Sequence, residues 1–193
     1  MENLLEMQKN VKAITRKYEE DLIKLNVEVF RSSIDGYENY TVSTFGKVKN
    51  TKTGKILKSR LNRGGYLIID LYEDRVKKTH KIHRLVANAF IDNQDEKECV
   101  DHKNNDKTNN HINNLRFATA NENQHNRKLS SNNTSNVKGV RFNKKAKKWH
   151  ARIRIDGILI HIGYFTNLDD AKSARINRAN EAFGEYTNAC EKL

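Results

Sequence analysis

The sequence predicts an α+β chain in which small antiparallel sheets are combined with short helices. Three observations carry this reading. Apolar residues in the N-terminal stretch recur every three or four positions. From residue 34 the apolar spacing shortens to every second residue, in short pieces cut by glycine turns. Beyond residue 136 the pattern reads as two alternating strands followed by an amphipathic helix.

Residues 1–28 form the first segment, helical over residues 1–25, where Leu4, Met7, Val11, Ile14, Tyr18, Leu22 and Leu25 mark one stripe. Packing onto the next domain of its own chain is the expected use of that stripe, with pairing to a second copy as the other. Residues 29–81 follow as a small antiparallel sheet domain, its strands separated by "TFGK", "KTGK", "RGG" and "YEDR". Residues 82–129 form a third segment. It opens on "HRLVANAF", whose Leu85, Val86, Ala89 and Phe90 share one helical face and predict a short buried helix.

Within the third segment, "ECVDH" ends a strand, "KNNDKTNNHI" is a polar loop, "NNLRFAT" contains a second strand, and "NENQHNRK" starts a helix capped near Thr119 or Asn121. Residues 130–136, "SSNNTSN", are uncharged, small and polar, and are the expected linker. The last domain, residues 137–193, puts Trp149, Ala151, Ile153 and Ile155 on one face of a strand and His150, Arg152, Arg154 and Asp156 on the other. Its second strand turns Ile158, Ile160 and Ile162 inward and Leu159 and His161 outward. The helix after it starts at Thr166 as N-cap, with Leu168, Ala171, Ala179, Ala182 and Phe183 facing the sheet. The arginine-bearing face of the sheet stays open, and Trp149 anchors the covered one.

Net charge is +12, and its placement matters more than its size. Residues 43–84 carry 12 Lys/Arg against 3 Asp/Glu, residues 129–165 carry 8 against 1, and residues 85–128 between them carry 6 against 7. Two basic blocks around a nearly neutral centre suit a protein that grips a polyanion on both sides of a site. Apolar runs such as "ILIHI" are far too short to span a bilayer, and no N-terminal signal pattern is visible. Cys99 and Cys190 are far apart and form no CxxC pair, which argues against zinc and disulfide frameworks and for a reducing, cytoplasmic setting.

The neutral centre holds the candidate chemistry. Asp101 ends a strand, and Asn123 lies in the first turn of the following helix, where it can face back toward that strand end. A carboxylate and an amide oxygen suit a hard cation such as Mg²⁺ or Mn²⁺. His102 points the other way from Asp101 and can activate water while neutral near physiological pH. Asn104, Asn105, Asn109, Asn110 and Asn113 read as turn formers. His80, His111 and His125 read as structural or surface residues, and His83 as support beside the site.

The run "HRLVANAF…VDH…NNLRFAT…NENQHN" resembles the HNH homing endonucleases of phages and mobile introns, in the branch with Asn at the third signature position. His102 precedes Asn114 by 12 residues and Asn123 by 21, as the ββα-metal (His-Me finger) nuclease core requires. Residues from Val29 to about Lys81 resemble the nuclease-associated modular domain, with Phe30 where a tryptophan is usual. Residues 137–184, with "VKGVRF", "KWHARIRIDG" and "IGYF", are similar to the plant ethylene-response-factor DNA-binding domain, a three-stranded sheet packed on one helix.

The resemblance implies a metal-dependent endonuclease acting on double-stranded DNA, with His102 as general base and Asn114 as the brace that bonds loop backbone. Asp101 and Asn123 would hold the divalent cation. Lys138, Arg141, Arg152, Arg154 and His161 would face DNA, and Lys144, Lys145, Lys147 and Lys148 would meet phosphate. One site per chain implies a nick from a monomer, and a double-strand break only from two chains, for which the N-terminal helix offers a homodimer contact. The alternative is a DNA-binding regulator whose nuclease core is catalytically silent.

Overall fold

The computed structural model describes residues 2–32, 36–127, 129–188 and Glu191, and the side chains of residues 2–4 lie outside that description, as does Cys190. The chain divides into two compact units, Met1–Gln94 with Lys107–Leu115, and Asp95–Asp106 with Arg116–Leu193.

The first unit begins with helix α1 (Glu2–Lys24). Strands β1 (Phe30–Arg31), β2 (Tyr40–Ser43) and β3 (Val48–Asn50) form one antiparallel sheet in chain order, and β4 (Arg60–Leu61), β5 (Leu67–Glu73) and β6 (Val76–Lys81) form another. Helix α2 (Ile82–Phe90) packs against β2, β5 and β6, burying Ile82, Leu85, Val86 and Ala87 beside Val42, Ile69 and Leu71. The turns use the chemistry their sequence announces. Gly46, Gly54 and Gly65 have positive φ, and the β5–β6 hairpin closes on Asp74 and Arg75 at φ 46° and 65°. Residues 107–115 return to this unit, with the Ile112 amide donating to the Thr44 carbonyl at 2.9 Å.

Only the C-terminal end of α1 is tied to the unit. Arg31 bonds Glu19 at 2.7 Å through Nε, donates from Nη1 to the Ala89 carbonyl at 3.0 Å, and lies over the Phe90 ring. Met7, Val11, Ile14 and Tyr18 are each more than half exposed. The expectation that the stripe packs onto its own domain is therefore corrected: Leu22 is half-buried, while Met7, Val11, Ile14, Tyr18 and Leu25 face solvent.

The second unit starts with strands β7 (Cys99–His102) and β8 (Leu115–Ala118), which pair, followed by α3 (Ala120–His125). Strands β9 (Val140–Asn143), β10 (Lys148–Ile155) and β11 (Ile158–Phe165) form an antiparallel sheet with β10 central, covered on one face by α4 (Leu168–Phe183). Val137, Val140, Ala151 and Ala171 make its core, with Trp149, Ile162, Phe165, Leu168 and Ile176 packed on it. The buried alanines let helix and sheet approach closely. Gly139, at φ 69°, is fixed by that closeness, since a Cβ there would stand 2.1 Å from the Arg152 carbonyl oxygen.

Three local expectations change. A β-bulge between Ala151 and Arg152 leaves Ile162 unpaired in the β10–β11 register, so the alternation inverts beyond it. Phe165 comes onto the Trp149 side, and Tyr164 opposite His150 onto the arginine side. Ile158, expected inward, is 67% exposed because the hairpin end runs past the helix. The N-cap of α4 is Asn167, whose side chain accepts from the Asp169 amide, rather than Thr166. The 130–136 segment does not separate the two units, both of whose boundaries lie earlier in the chain. Ser135 is buried, its hydroxyl donating to the Val137 and Val140 carbonyls at 2.9 Å each. Among the described residues, no helix is long and apolar enough to cross a membrane.

Candidate active site

Asp101 and His102 close β7, and both are 5% exposed. A carboxylate buried this deeply needs partners, because removing a charge from water without compensation is costly. The Asp101 partners come from β8 and from the end of α3. Arg116 donates from Nε and Nη2 to Asp101 Oδ2 at 3.0 and 2.7 Å. Asn126 Nδ2 lies 3.1 Å from Oδ1, 3.0 Å from Oδ2 and 2.9 Å from the His102 carbonyl oxygen. Asn126 is itself 1% exposed and is fixed by Asn105 Nδ2, at 3.1 Å from its Oδ1, and by Asn188 Nδ2 on its carbonyl.

The segment after α4 closes over Arg116. Its Nη1 donates to the Glu185 carbonyl, and its guanidinium lies 4.2 Å from the Tyr186 ring centroid. The Tyr186 hydroxyl donates to the Phe117 carbonyl at 2.9 Å. Lys97 Nζ reaches both Tyr186 Oη and Glu122 Oε1 at 3.1 Å, and these two bonds hold its ammonium above the usual lysine range.

Helix α3 carries Asn123 and begins with a full capping box. Thr119 Oγ1 accepts from the Glu122 amide, and the Glu122 carboxylate accepts from the Thr119 amide at 2.7 Å. Asn123, half-buried, precedes Asn126 by three positions, which places the two on neighbouring parts of one helix face. Asn126 touches the Asp101 carboxylate, so that face of α3 is turned toward the end of β7.

Other expected site residues fall as follows. In the first unit, Asn114 Nδ2 donates to the Asn109 carbonyl at 2.8 Å, the loop-backbone bond expected of a brace. His83 is buried in the first turn of α2, its ring 5.0 Å from that of Tyr66. In the second unit, Arg141 lies opposite His150 and Arg152 opposite His161, on the outward side of the sheet. Lys144 and Lys148 are exposed. Lys138 has a structural partner instead, donating to the His125 carbonyl at the C-terminal end of α3 at 2.7 Å. His125 stacks on Phe183, and burial, followed by the nearby Lys138 charge, lowers its pKa.

Residues 80–125 match the HNH endonuclease family, and the matched span contains Asp101, His102, Asn114 and Asn123. Over this segment the chain is similar to the HNH endonucleases. Residues 31–72 match the NUMOD4 motif. An uncharacterized HNH endonuclease of Acanthamoeba polyphaga mimivirus is 50% identical over 93 residues, 47% of this chain and 23% of that protein. The DNA endonuclease I-HmuI of Bacillus phage SP01 is 44% identical over 87 residues, 45% of this chain and 50% of its own. The H-N-H endonuclease F-TflII of Escherichia phage T5 is 34% identical over 88 residues, 45% of this chain and 46% of its own. The matches thus span between 23% and 50% of the length of these relatives. A solved structure titled "DNA binding and cleavage by the HNH homing endonuclease I-HmuI" aligns over 80% of this chain and 91% of that one, at 27% identity and TM-score 0.49.

The donor chemistry of the HNH core fits a hard divalent cation. Among the described residues Asp101 Oδ1 receives one hydrogen bond, from Asn126, and so keeps acceptor capacity despite the Arg116 pair on Oδ2. Among the described residues, no group of three or more His, Cys, Asp or Glu side chains gathers for a metal. One carboxylate completed by an amide oxygen and by substrate oxygens is the mode in which Mg²⁺ is commonly held. The sequence reading missed Arg116 and Asn126. Their signal was the buried Asp101 itself, which requires a cation and donors nearby.

Proposed function

We propose that this chain is a metal-dependent HNH endonuclease of the homing type that nicks or cuts double-stranded DNA. The observation that carries the reading is the buried Asp101–His102 strand end facing the capped helix that bears Asn123. His102 takes the proton of the attacking water, whose oxygen forms the new bond to phosphorus as the bond to the 3′ oxygen breaks, leaving 5′-phosphate and 3′-hydroxyl ends. Asp101 and Asn123 would hold Mg²⁺ or Mn²⁺, which would supply charge stabilisation at the phosphate and the leaving oxygen. Arg116 and Asn126 keep the Asp101 carboxylate fixed. Asn114 braces its loop, and His83 supports the start of α2.

The outward face of the C-terminal sheet, with Arg141, Arg152, Arg154 and His161, reads the major groove in the manner of an ethylene-response-factor domain, while Lys144 and Lys148 meet phosphate. Tyr164 joins that face through the β-bulge.

Plasmid cleavage with Mg²⁺ or Mn²⁺, on DNA containing the target site, tests the reading. Wild type is expected to convert supercoiled plasmid to nicked or linear forms only with metal. His102→Ala should lose this by at least about a hundredfold, the usual scale of a general base, while binding DNA as before. Metal-dependent cutting that survives intact in His102→Ala would remove the assigned base.

A further inference from the structure

We propose that Lys81 and Lys107, gathered on the ring of Tyr66, form a clamp for backbone phosphates of nucleic acid, a contact of the first unit separate from the C-terminal sheet. It rests on the reading that the chain binds DNA. Lys81 Nζ lies 4.9 Å and Lys107 Nζ 4.6 Å from the Tyr66 ring centroid. Two ammonium groups on one ring repel each other, and the usual remedy is a carboxylate between them. Among the described residues neither lysine has one: Lys81 contacts only the ring, and Lys107 adds a bond to the Gly64 carbonyl at 2.9 Å. The α2 helix that Lys81 precedes has no acidic residue in its first turn. Elsewhere in this unit the basic side chains Arg31, Lys47 and Arg60 each have a carboxylate partner.

The clamp is built rather than incidental. Asn62 Oδ1 accepts from the Gly64 and Tyr66 amides at 2.9 and 3.0 Å, fixing the turn that presents the ring. Gly65, at φ 78°, takes the left-handed conformation of the turn, with the Lys107 stem near it. Tyr66 is half-buried against His83, so the ring stays in place while both ammonium groups remain exposed. A diester phosphate supplies the absent negative charge, and the ring holds both cations ready for it.

The experiment is DNA binding by the full chain across a salt series, for wild type, Lys81→Gln with Lys107→Gln, and Lys81→Arg with Lys107→Arg. Glutamine at 107 keeps a donor for the Gly64 carbonyl, and a thermal melt of each variant checks that the turn is retained. Each phosphate contact adds about 0.9 to the slope of log K against log salt, so the Gln pair should flatten it by about 2. The Arg pair should keep the wild-type slope. Wild type that binds DNA while the folded Gln pair shows an unchanged slope would overturn the clamp and leave the nuclease reading standing. Wild type that does not bind DNA would overturn both.

Discussion

At the scale of single residues, Asp101 shows how the strand end proposed to be catalytic is fixed. Its carboxylate and the Arg116 guanidinium have side chains 6% and 8% exposed, so each is the other's charge partner inside the fold. Arg116→Met leaves a buried carboxylate with only Asn126 beside it. The expected loss is about 3–5 kcal/mol of unfolding free energy, the usual result of removing one member of a buried pair, read as a shift in urea midpoint. A loss under about 1 kcal/mol, the range of an exposed pair, would mean that the pair is solvated. The positions of Asp101, His102, Asn114 and Asn123 were legible in the sequence because their spacings are local to one motif. The partners were not. Arg116 lies 15 residues from Asp101, and its other contact, the Glu185 carbonyl, lies 69 residues away, distances over which sequence pattern carries no pairing information.

Elements were read well where their signals are local. The capping box at Thr119 and Glu122, the helix Ile82–Phe90 and the hairpin turns follow from residue types at fixed offsets. The bulge opposite Ala151 could not be read, because Ile162 and Gly163 fit a continuous strand, and only packing of Phe165 beside Trp149 selects the break. α3 is six residues long and too short to hold itself together, so its cap matters more than usual. Thr119→Ala is expected to cost about 1 kcal/mol and to lower metal-dependent cleavage, since Asn123 rides on that helix. The Glu122 half of the box adds a pH dependence. Burial raises its pKa, but bonds from the Thr119 backbone and from Lys97 outweigh this, leaving it below the usual glutamate value. A depressed carboxylate gives its stabilisation in full above the unfolded-state pKa and loses it as pH falls through the folded one. Stability should therefore decline below about pH 4.5, and Glu122→Gln should make that decline shallower.

For the whole molecule, the question is whether the C-terminal segment is a detachable module. An uncharged run at 130–136 invites that view, and the contacts of residues 185–188 argue against it. The chain past α4 returns to the nuclease core: Glu185 and Tyr186 cover Arg116, and Asn188 donates to the carbonyls of Asn126 and Arg127 at 2.6 and 3.0 Å. Arg175 and Glu191, paired at 3.0 Å and almost fully buried, hold Glu191 against α4, and burial raises the Glu191 pKa. A chain ending at residue 128 loses every one of these covers. Arg116 and Asn126 are then exposed to water, and the Asp101 carboxylate they hold is no longer fixed. Such a truncation should lose metal-dependent cleavage and unfold at lower urea than the same residues do in the full chain. The full-length Tyr186→Ala, Asn188→Ala double variant separates loss of cover from loss of DNA contacts. It keeps the sheet of Arg141, Arg152 and Arg154, so DNA binding should persist while the urea midpoint falls. A truncated chain that cleaves and unfolds like the full one would show that residues 129–193 add DNA contacts alone, and that the core stands without their cover.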